Sequence, residues 1–292
     1  MLCLESFVRK VCKDKDIEGL KLPGWPEQCK SYLFAKIIKK FLYLINLFGK
    51  ASGSKLNKNK TKGLWLGAWK DSKDNYKFGI NFVECIKGVG FKIGNNVTQD
   101  DIWHPIYVKF ENVLNLWKST HLSLLKKIIV VNVLASSKIW YVGSVLHMSR
   151  YYICIFQRLI FHFMWNSKSE ALARITMYLS KDSGGLNIVN IEYKLYALRL
   201  KHIQDIILHR NTKFVIFSIY WIGYQLRDFN FNLTALSFPH SDLASPFYNK
   251  KCLKVLNIFK DKCNDVVLGQ YNTKTLYNLL LDNDKQAYML LK

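Results

Sequence analysis

Apolar residues at helical spacing dominate the sequence from Trp103 onward, and they constrain the fold more than any other feature. The first stripe consists of Phe110, Val113, Leu114 and Trp117. These intervals of three and four residues place the side chains on one face of an α-helix. Ser123 is positioned to cap a following helix that runs toward Ser137. A long helix is predicted for 191–209 and shorter helices for 271–291, so the chain is expected to be predominantly α by content.

The first third of the chain predicts shorter elements. Helices are expected over 2–13 and over 35–48, and Gly49 stands where a C-cap glycine is common. Short strands are expected at Gly63–Gly67 and around Ile86–Ile93, where apolar residues are bounded by glycine or asparagine. A few strands are therefore expected before the helical region.

Basic residues are concentrated in two stretches of the chain. The sequence has 43 lysines and arginines against 21 acids, which gives a net charge of +22. Residues 31–70 carry nine lysines and no acid, and residues 112–169 carry seven basic residues and no acid. A charge this concentrated favours a binding track for a polyanion over an evenly charged surface. DNA or RNA is the first expectation for the partner, and an anionic membrane surface is the second.

Residue spacing disfavours several other classes of site. The seven cysteines include no pair at the short interval of a zinc ribbon, so they are interpreted as reduced thiols of an intracellular protein. Gly88, Gly90 and Gly94 resemble a dinucleotide fingerprint, but the last interval is one residue too long. No Walker-type phosphate loop and no His-Glu-x-x-His sequence occurs. We therefore expect no cofactor and no small-molecule substrate.

No targeting segment or membrane span is predicted. The first residues lack the apolar core of a signal peptide. The apolar stretches 37–48 and 214–224 are shorter than the roughly 20 residues that a spanning helix needs. The expected location is intracellular, either nuclear or cytoplasmic.

Asp100 and Asp101 are the only adjacent acids in the chain. Neighbouring aspartates on a polymerase hairpin hold Mg²⁺, because this ion takes carboxylate oxygens and substrate phosphates. Here the pair follows Thr98 and precedes a helical pattern, and acids at a helix N-terminus interact favourably with the helix dipole. The sequence therefore favours a helix N-terminus over a metal site.

An ordered set of segments carries a family resemblance. The segments are 2–8, 17–24, 48–61, 63–67, 86–89, 116–141, 161–165 and 184–186, together with Arg174. As a set they resemble the LINE-type reverse transcriptases of non-LTR retrotransposons, over about residues 1–210. The strongest match is the thumb-like segment 116–141. Ile86–Val89 resembles the primer grip, whose usual form is Ile-Lys-Ile-Leu-Gly-Val.

The resemblance implies an α+β fold that is predominantly α. A partial reverse-transcriptase palm is expected over 1–100, a helical thumb over 101–165 and a helical extension over 166–292. Residues 211–292 match no motif of the family. The primer-grip-like residues are Lys87, Gly88 and Val89.

The chain departs from the family where catalysis is concerned. A Tyr-x-Asp-Asp turn is expected between Gly24 and Phe48, but only Tyr32 and Ala35 remain there, and no aspartate occurs from 31 to 70. The family's other catalytic aspartate is expected upstream of this sequence. Without these carboxylates the Mg²⁺ ions of the intact family have no site. We therefore assign no catalytic and no metal-binding residue.

The expected function is that of a truncated reverse transcriptase remnant that binds RNA or an RNA–DNA duplex but does not polymerise. Lysines on backbone phosphates supply affinity without sequence readout. The lysines expected to do so are Lys55, Lys58 and Lys60 at the palm edge and Lys118, Lys126, Lys127 and Lys138 in the thumb. Three alternatives stay open. In the first, each lysine is only a solvated surface charge. In the second, the chain is a non-enzymatic basic RNA-binding or scaffold protein. In the third, it is a peripheral membrane binder.

Overall fold

The computed structural model describes most of the chain between Ile38 and Leu290. The described residues are 38–65, 76–77, 79–88, 90–166, 169–208, 252, 254–259 and 273–290. They fall into two compact units, an N-terminal unit that ends at Val97 and a helical unit that begins at Thr98. The described residues expected to form the thumb and its extension belong to the second unit. The helix predicted for 2–13 and the interval around Tyr32 lie outside the described residues.

Helix α1, Ile38–Ser52, opens the described part of the N-terminal unit. Its predicted end at Gly49 is wrong, because the helix continues to Ser52 and the residue with positive φ, 71°, is Gly53. Gly49 does not cap the helix, and it is needed because the chain at Ser54 passes close to it. A Cβ at this position would lie 2.4 Å from the carbonyl oxygen of Ser54, so only glycine lets the chain turn back over the helix.

Two small groups of strands follow α1. The strands are β1, Lys62–Gly63; β2, Tyr76–Lys77; β3, Ile80–Phe82; β4, Cys85–Gly88; and β5, Phe91–Gly94. Strand β3 is central in the first sheet, parallel to β1 and antiparallel to β2. Strands β4 and β5 form a separate antiparallel hairpin, which confirms the strand prediction around Ile86–Ile93. The strand predicted at Gly63–Gly67 is shorter than expected, since β1 ends at Gly63 and residues 66–67 lie outside the described part.

The described residues of the helical unit include seven α-helices with complete bounds, a further helical stretch at 252 and 254–259, a π-helical segment and a 3-10 turn. The α-helices are α2, Gln99–Lys118; α3, Leu124–Ile129; α4, Ser137–Val145; α5, Arg150–Met164; α6, Arg174–Tyr178; α7, Ile191–Leu208; and α8, Thr273–Leu290. The π-helical segment is Val130–Ala135 and the 3-10 turn is Lys181–Ser183. With its few strands and many helices, the chain is α+β and predominantly α.

Helix α2 begins as the sequence predicts. The hydroxyl of Thr98 accepts a hydrogen bond from the Asp101 amide at 3.2 Å, and the Asp101 carboxylate accepts one from the Thr98 amide at 3.1 Å. This reciprocal capping box satisfies amides that the helix itself leaves unpaired. The interpretation of the aspartates as helix N-terminal residues is confirmed. In the predicted stripe, Phe110 and Leu114 are buried.

Helices α3 and α4 flank the π-helical segment. The stretch Leu124–Ala135, which is α3 with the π-helical segment, meets α4 at an angle of 40°. Ser123 occupies the N-cap position of α3, although its side chain makes no capping hydrogen bond. Asn132 in the π-helical segment joins it to a later loop by donating to the carbonyl of Asn187 at 2.7 Å and accepting from the amide of Val189 at 3.0 Å. No single helix among the described residues is long and apolar enough to cross a membrane, and only this bent pair passes such a test when its two parts are joined.

The C-terminal helix α8 packs along α7. The amide of Asn190, just before α7, donates to the hydroxyl of Tyr277 in α8 at 2.9 Å, and both residues are buried. The prediction of several short helices over 271–291 is wrong, because α8 is continuous over 18 residues. A segment that matched no family motif thus contributes to the core of the helical unit.

Candidate nucleic-acid interface

A cleft of about 460 Å³ in the N-terminal unit contains two of the predicted lysines. Lys55 and Lys58 line it together with Lys50 and Asn46 from α1, and residues 79–80 close its other side. Lys50, Lys55 and Lys58 are all exposed. Sequence reasoning missed the contribution of Lys50, although it stands in the same acid-free stretch. The cleft therefore offers three ammonium groups to an anionic ligand.

The loop that carries these lysines is held by local hydrogen bonds. The side chain of Asn57 accepts from the Lys60 amide at 3.1 Å. The carbonyl of Asn57 accepts from the Thr61 amide at 3.0 Å and from the Thr61 hydroxyl at 2.8 Å. Asn57 thus fixes a turn in which Lys58 and Lys60 are exposed, as short polar side chains commonly do.

The β4–β5 hairpin places a second lysine opposite a predicted one. Lys87 pairs with Lys92 across the two strands, and both are exposed. Gly88 pairs with Phe91 beside them. Val89, the third primer-grip-like residue, lies outside the described residues. The positive charge of this hairpin is therefore larger than Lys87 alone indicates.

Three of the four thumb lysines lie exposed on the helical unit. Lys118 is the last residue of α2, Lys126 lies on α3 and Lys138 lies in the first turn of α4. Among the described residues, no acid forms an ion pair with any of the three. Their charges are therefore not neutralised by the carboxylates of the described residues.

Lys127 corrects the sequence prediction. It is only 7% exposed, and its Nζ donates to the carbonyl oxygens of Phe163 and Met164 at 3.2 and 3.0 Å. A third bond joins Nζ to Oδ1 of Asn166 at 2.6 Å. The carbonyls belong to the C-terminal end of α5, where a helix lacks internal donors and favours a cation. Lys127 therefore stabilises a helix end and is not available to a phosphate.

The helical period separates Lys127 from its neighbour Lys126. Lys127 lies three and four residues before the buried Val130 and Val131, so it falls on their face of the helix, whereas Lys126 is turned away by about 100°. Burial lowers the pKa of the Lys127 ammonium. The two valines three and four residues after Lys127 are the sequence signal that indicates the buried face of the helix.

Within the described ranges, no group of three or more His, Cys, Asp or Glu side chains is placed to hold a metal ion. The interval in which the family carries its Tyr-x-Asp-Asp turn lies mostly outside those ranges. A scan against protein-family models gave no match, and a search of curated proteins gave no significant match. The resemblance to reverse transcriptases therefore depends on the ordered sequence segments alone.

Proposed function

We propose that this chain is a remnant of a LINE-type reverse transcriptase that binds RNA or an RNA–DNA duplex through backbone phosphates and does not polymerise. One observation carries the binding part of the proposal. Six of the seven predicted lysines are exposed, and no described acid forms an ion pair with them. A lysine contacts phosphate as a mobile point charge, so such a surface binds without reading the base sequence.

The distribution of charge favours this function over a merely solvated surface. A solvated surface of a monomeric domain usually interleaves both signs of charge. Here the acid-free stretches extend over 40 and 58 residues, so the positive potential is not cancelled locally and attracts a polyanion. The absence of polymerisation is proposed from the sequence, because the family's aspartates are missing from residues 31–70.

Salt dependence of binding tests the proposal. A fluorescently labelled RNA–DNA duplex is titrated with the full chain at several salt concentrations, and affinity is followed by anisotropy. Each phosphate contact contributes a slope of about −0.9 in log affinity against log salt. Replacing Lys118, Lys126 and Lys138 by glutamine should therefore reduce the magnitude of the slope by about 2.7.

A matched triple variant controls for net charge. Lys109, Lys181 and Lys254 are equally exposed lysines of the helical unit outside the predicted set. Replacing them by glutamine removes the same charge and should leave the slope nearly unchanged. No binding of the wild-type chain at low salt, or equal losses in the two triple variants, contradicts the proposal.

An exposed apolar line on α3 and the π-helical segment favours a second candidate function, peripheral membrane binding. Leu125, Ile129 and Val133 follow one another at intervals of four residues, and each is more than half exposed. Lys126 lies next to this line and is also exposed. Apolar side chains beside basic ones are typical of surfaces that lie on anionic lipid. Flotation with phosphatidylserine vesicles tests this function, and replacing the three apolar residues by serine should abolish it.

A further inference from the structure

A second cleft, which contains none of the predicted lysines, lies between α2 and α5 of the helical unit. Its volume is about 420 Å³, which falls within the roughly 300–1,000 Å³ of ordinary ligand pockets. Its polar and aromatic lining consists of His104 and Tyr107 from α2 and of Tyr151, Tyr152, Arg158 and His162 from α5. Tyr151, Arg158 and His162 follow one another on α5 at intervals of seven and four residues, which places these three side chains on one face.

Hydrogen bonds fix the position of α2 relative to α5. The indole of Trp103 donates to the carbonyl of His147 at 3.1 Å, and the amide of Ser149 donates to the side chain of Gln99 at 3.0 Å. Both bonds join the N-terminal turn region of α2 to the segment that leads into α5. The cleft is therefore preformed, which reduces the entropy that a ligand must overcome on binding.

Aromatic side chains make up half of the residues that line the cleft, counting His104 with the three tyrosines. The ring of Tyr107 lies nearly parallel to the imidazole of His104, with centroids 6.1 Å apart. Tyr151 meets Tyr152 edge to face at 5.3 Å. Tyr152 is buried, whereas the Tyr151 side chain is 66% exposed. Tyr151 is therefore accessible to a ligand that enters the cleft.

The acids near the cleft are engaged by tyrosine hydroxyls. Tyr152 donates to Asp100 at 2.7 Å and Tyr107 donates to Glu111 at 2.9 Å. Burial and these bonds raise the pKa of both phenols, that of Tyr152 to about 12, so the rings stay neutral. Arg158 is exposed, and no acid of the described residues pairs with it. The lining thus combines a neutral aromatic surface with one unpaired guanidinium.

We propose that this cleft binds an unpaired nucleobase, stacked on Tyr151, with the adjacent phosphate on Arg158. Every base has a π-face, so aromatic side chains bind single strands with little sequence preference. Arginine recognises phosphate by paired hydrogen bonds. The bases of a duplex are stacked on each other, and their faces cannot reach the cleft. This inference rests on the proposed binding of nucleic acid and adds a site for its single-stranded form.

Single-strand binding of the full chain tests the inference. A fluorescein-labelled 12-nucleotide oligothymidylate and, separately, thymidine monophosphate are titrated at one salt concentration. Tyr151→Ala and Arg158→Ala should each weaken oligonucleotide binding by roughly 5- to 30-fold, the usual effect of losing one stacked base or one charged contact. Tyr151→Phe retains the ring and should bind like the wild type.

Two control variants separate the cleft from general effects. Arg150→Ala removes the same charge from the same helix, and Tyr141→Ala removes another exposed tyrosine, which is 53% exposed, from α4; neither residue lines the cleft. Losses of affinity that are confined to Tyr151→Ala and Arg158→Ala support the inference. If these variants lose affinity for thymidine monophosphate but not for the oligonucleotide, the ligand is a free nucleotide. Equal losses in the controls, or no binding of either ligand to the wild type, overturn it.

The duplex experiment separates this inference from the proposed function. Tyr151→Ala should leave the affinity for an RNA–DNA duplex unchanged, because a duplex offers no free base face. If duplex binding is absent but Tyr151-dependent binding of the oligonucleotide is present, the proposed function fails and the cleft stands. If the duplex binds and the Tyr151 variant has no effect on the single strand, the cleft fails and the proposed function stands.

Discussion

Replacing Lys127 by methionine is expected to destabilise the helical unit, although the change removes one charge from a strongly basic chain. Methionine has nearly the same length as lysine, so the packing around the aliphatic part is retained. The variant loses the three hydrogen bonds of Nζ to Phe163, Met164 and Asn166. The neighbouring Lys126, which is exposed and has no such bonds, provides the matched control as Lys126→Met.

The magnitude follows from which acceptors lose their donor. Phe163 and Met164 are buried. The carbonyl of Phe163 keeps a second donor, the amide of Asn166 at 3.5 Å, whereas the carbonyl of Met164 is left unsatisfied, which costs about 1–3 kcal/mol. Asn166 is exposed, and water replaces the partner of its side chain at little cost. Because the buried ammonium no longer has to be desolvated, part of this cost is offset, and the net loss is about 1–2 kcal/mol. The control is expected to change stability by less than about 0.5 kcal/mol.

Urea denaturation followed by far-UV circular dichroism measures both variants against the wild type. In thermal unfolding of a unit of this size, about 1–2 kcal/mol corresponds to a fall in Tm of roughly 2–8 °C. Duplex binding gives an independent check, since Lys126→Met should reduce the salt slope and Lys127→Met should not. Equal stabilities of the two variants, together with equal losses of slope, would refute the assignment of Lys127 to the end of α5.

Three further outcomes are expected. Asn132→Ala removes both bonds between the π-helical segment and the loop at 187–189, and urea denaturation should show a loss of about 1–3 kcal/mol; no loss would show that the loop is held by other contacts. Gly49→Ala places a Cβ 2.4 Å from the Ser54 carbonyl, and thermal unfolding should show a loss of about 1–3 kcal/mol, accompanied by weaker duplex binding. The folded-state pKa of Tyr152, about 12, lies above the ordinary value of 10, so its contribution to stability is present below pH 10 and is lost as the pH rises toward 12. From pH 9 to pH 11 the urea midpoint should therefore fall more for the wild type than for Tyr152→Phe. Equal falls in the two proteins would contradict the raised pKa.

Local signals in the sequence predicted some helical features correctly and others wrongly. The start of α2 follows from Thr98 and Asp101, because a capping box needs only two residues three positions apart. The end of α1 was predicted wrongly, since Gly49 satisfies the local rule for a cap but is required by a contact with Ser54. That contact depends on the path of the chain after the helix. Local rules therefore succeed where a feature is complete within one turn.

The same distinction holds for the candidate site, where features local in sequence were predicted and features that depend on helix packing were not. Acid-free stretches of sequence identified where positive charge accumulates, and six of the seven lysines chosen there are exposed. For the exception, Lys127, the spacing to Val130 and Val131 in the sequence indicated the buried face, but its acceptors lie at the end of another helix, 36 to 39 residues away, and only the folded structure shows them. The cleft between α2 and α5 was missed for the same reason, since His104 and Tyr151 approach each other only after the two helices pack. Charge density along a sequence therefore predicts phosphate-binding surfaces, which need many exposed cations and little geometry. A pocket for a single base needs aromatic side chains from two helices, so it becomes visible only in the folded structure.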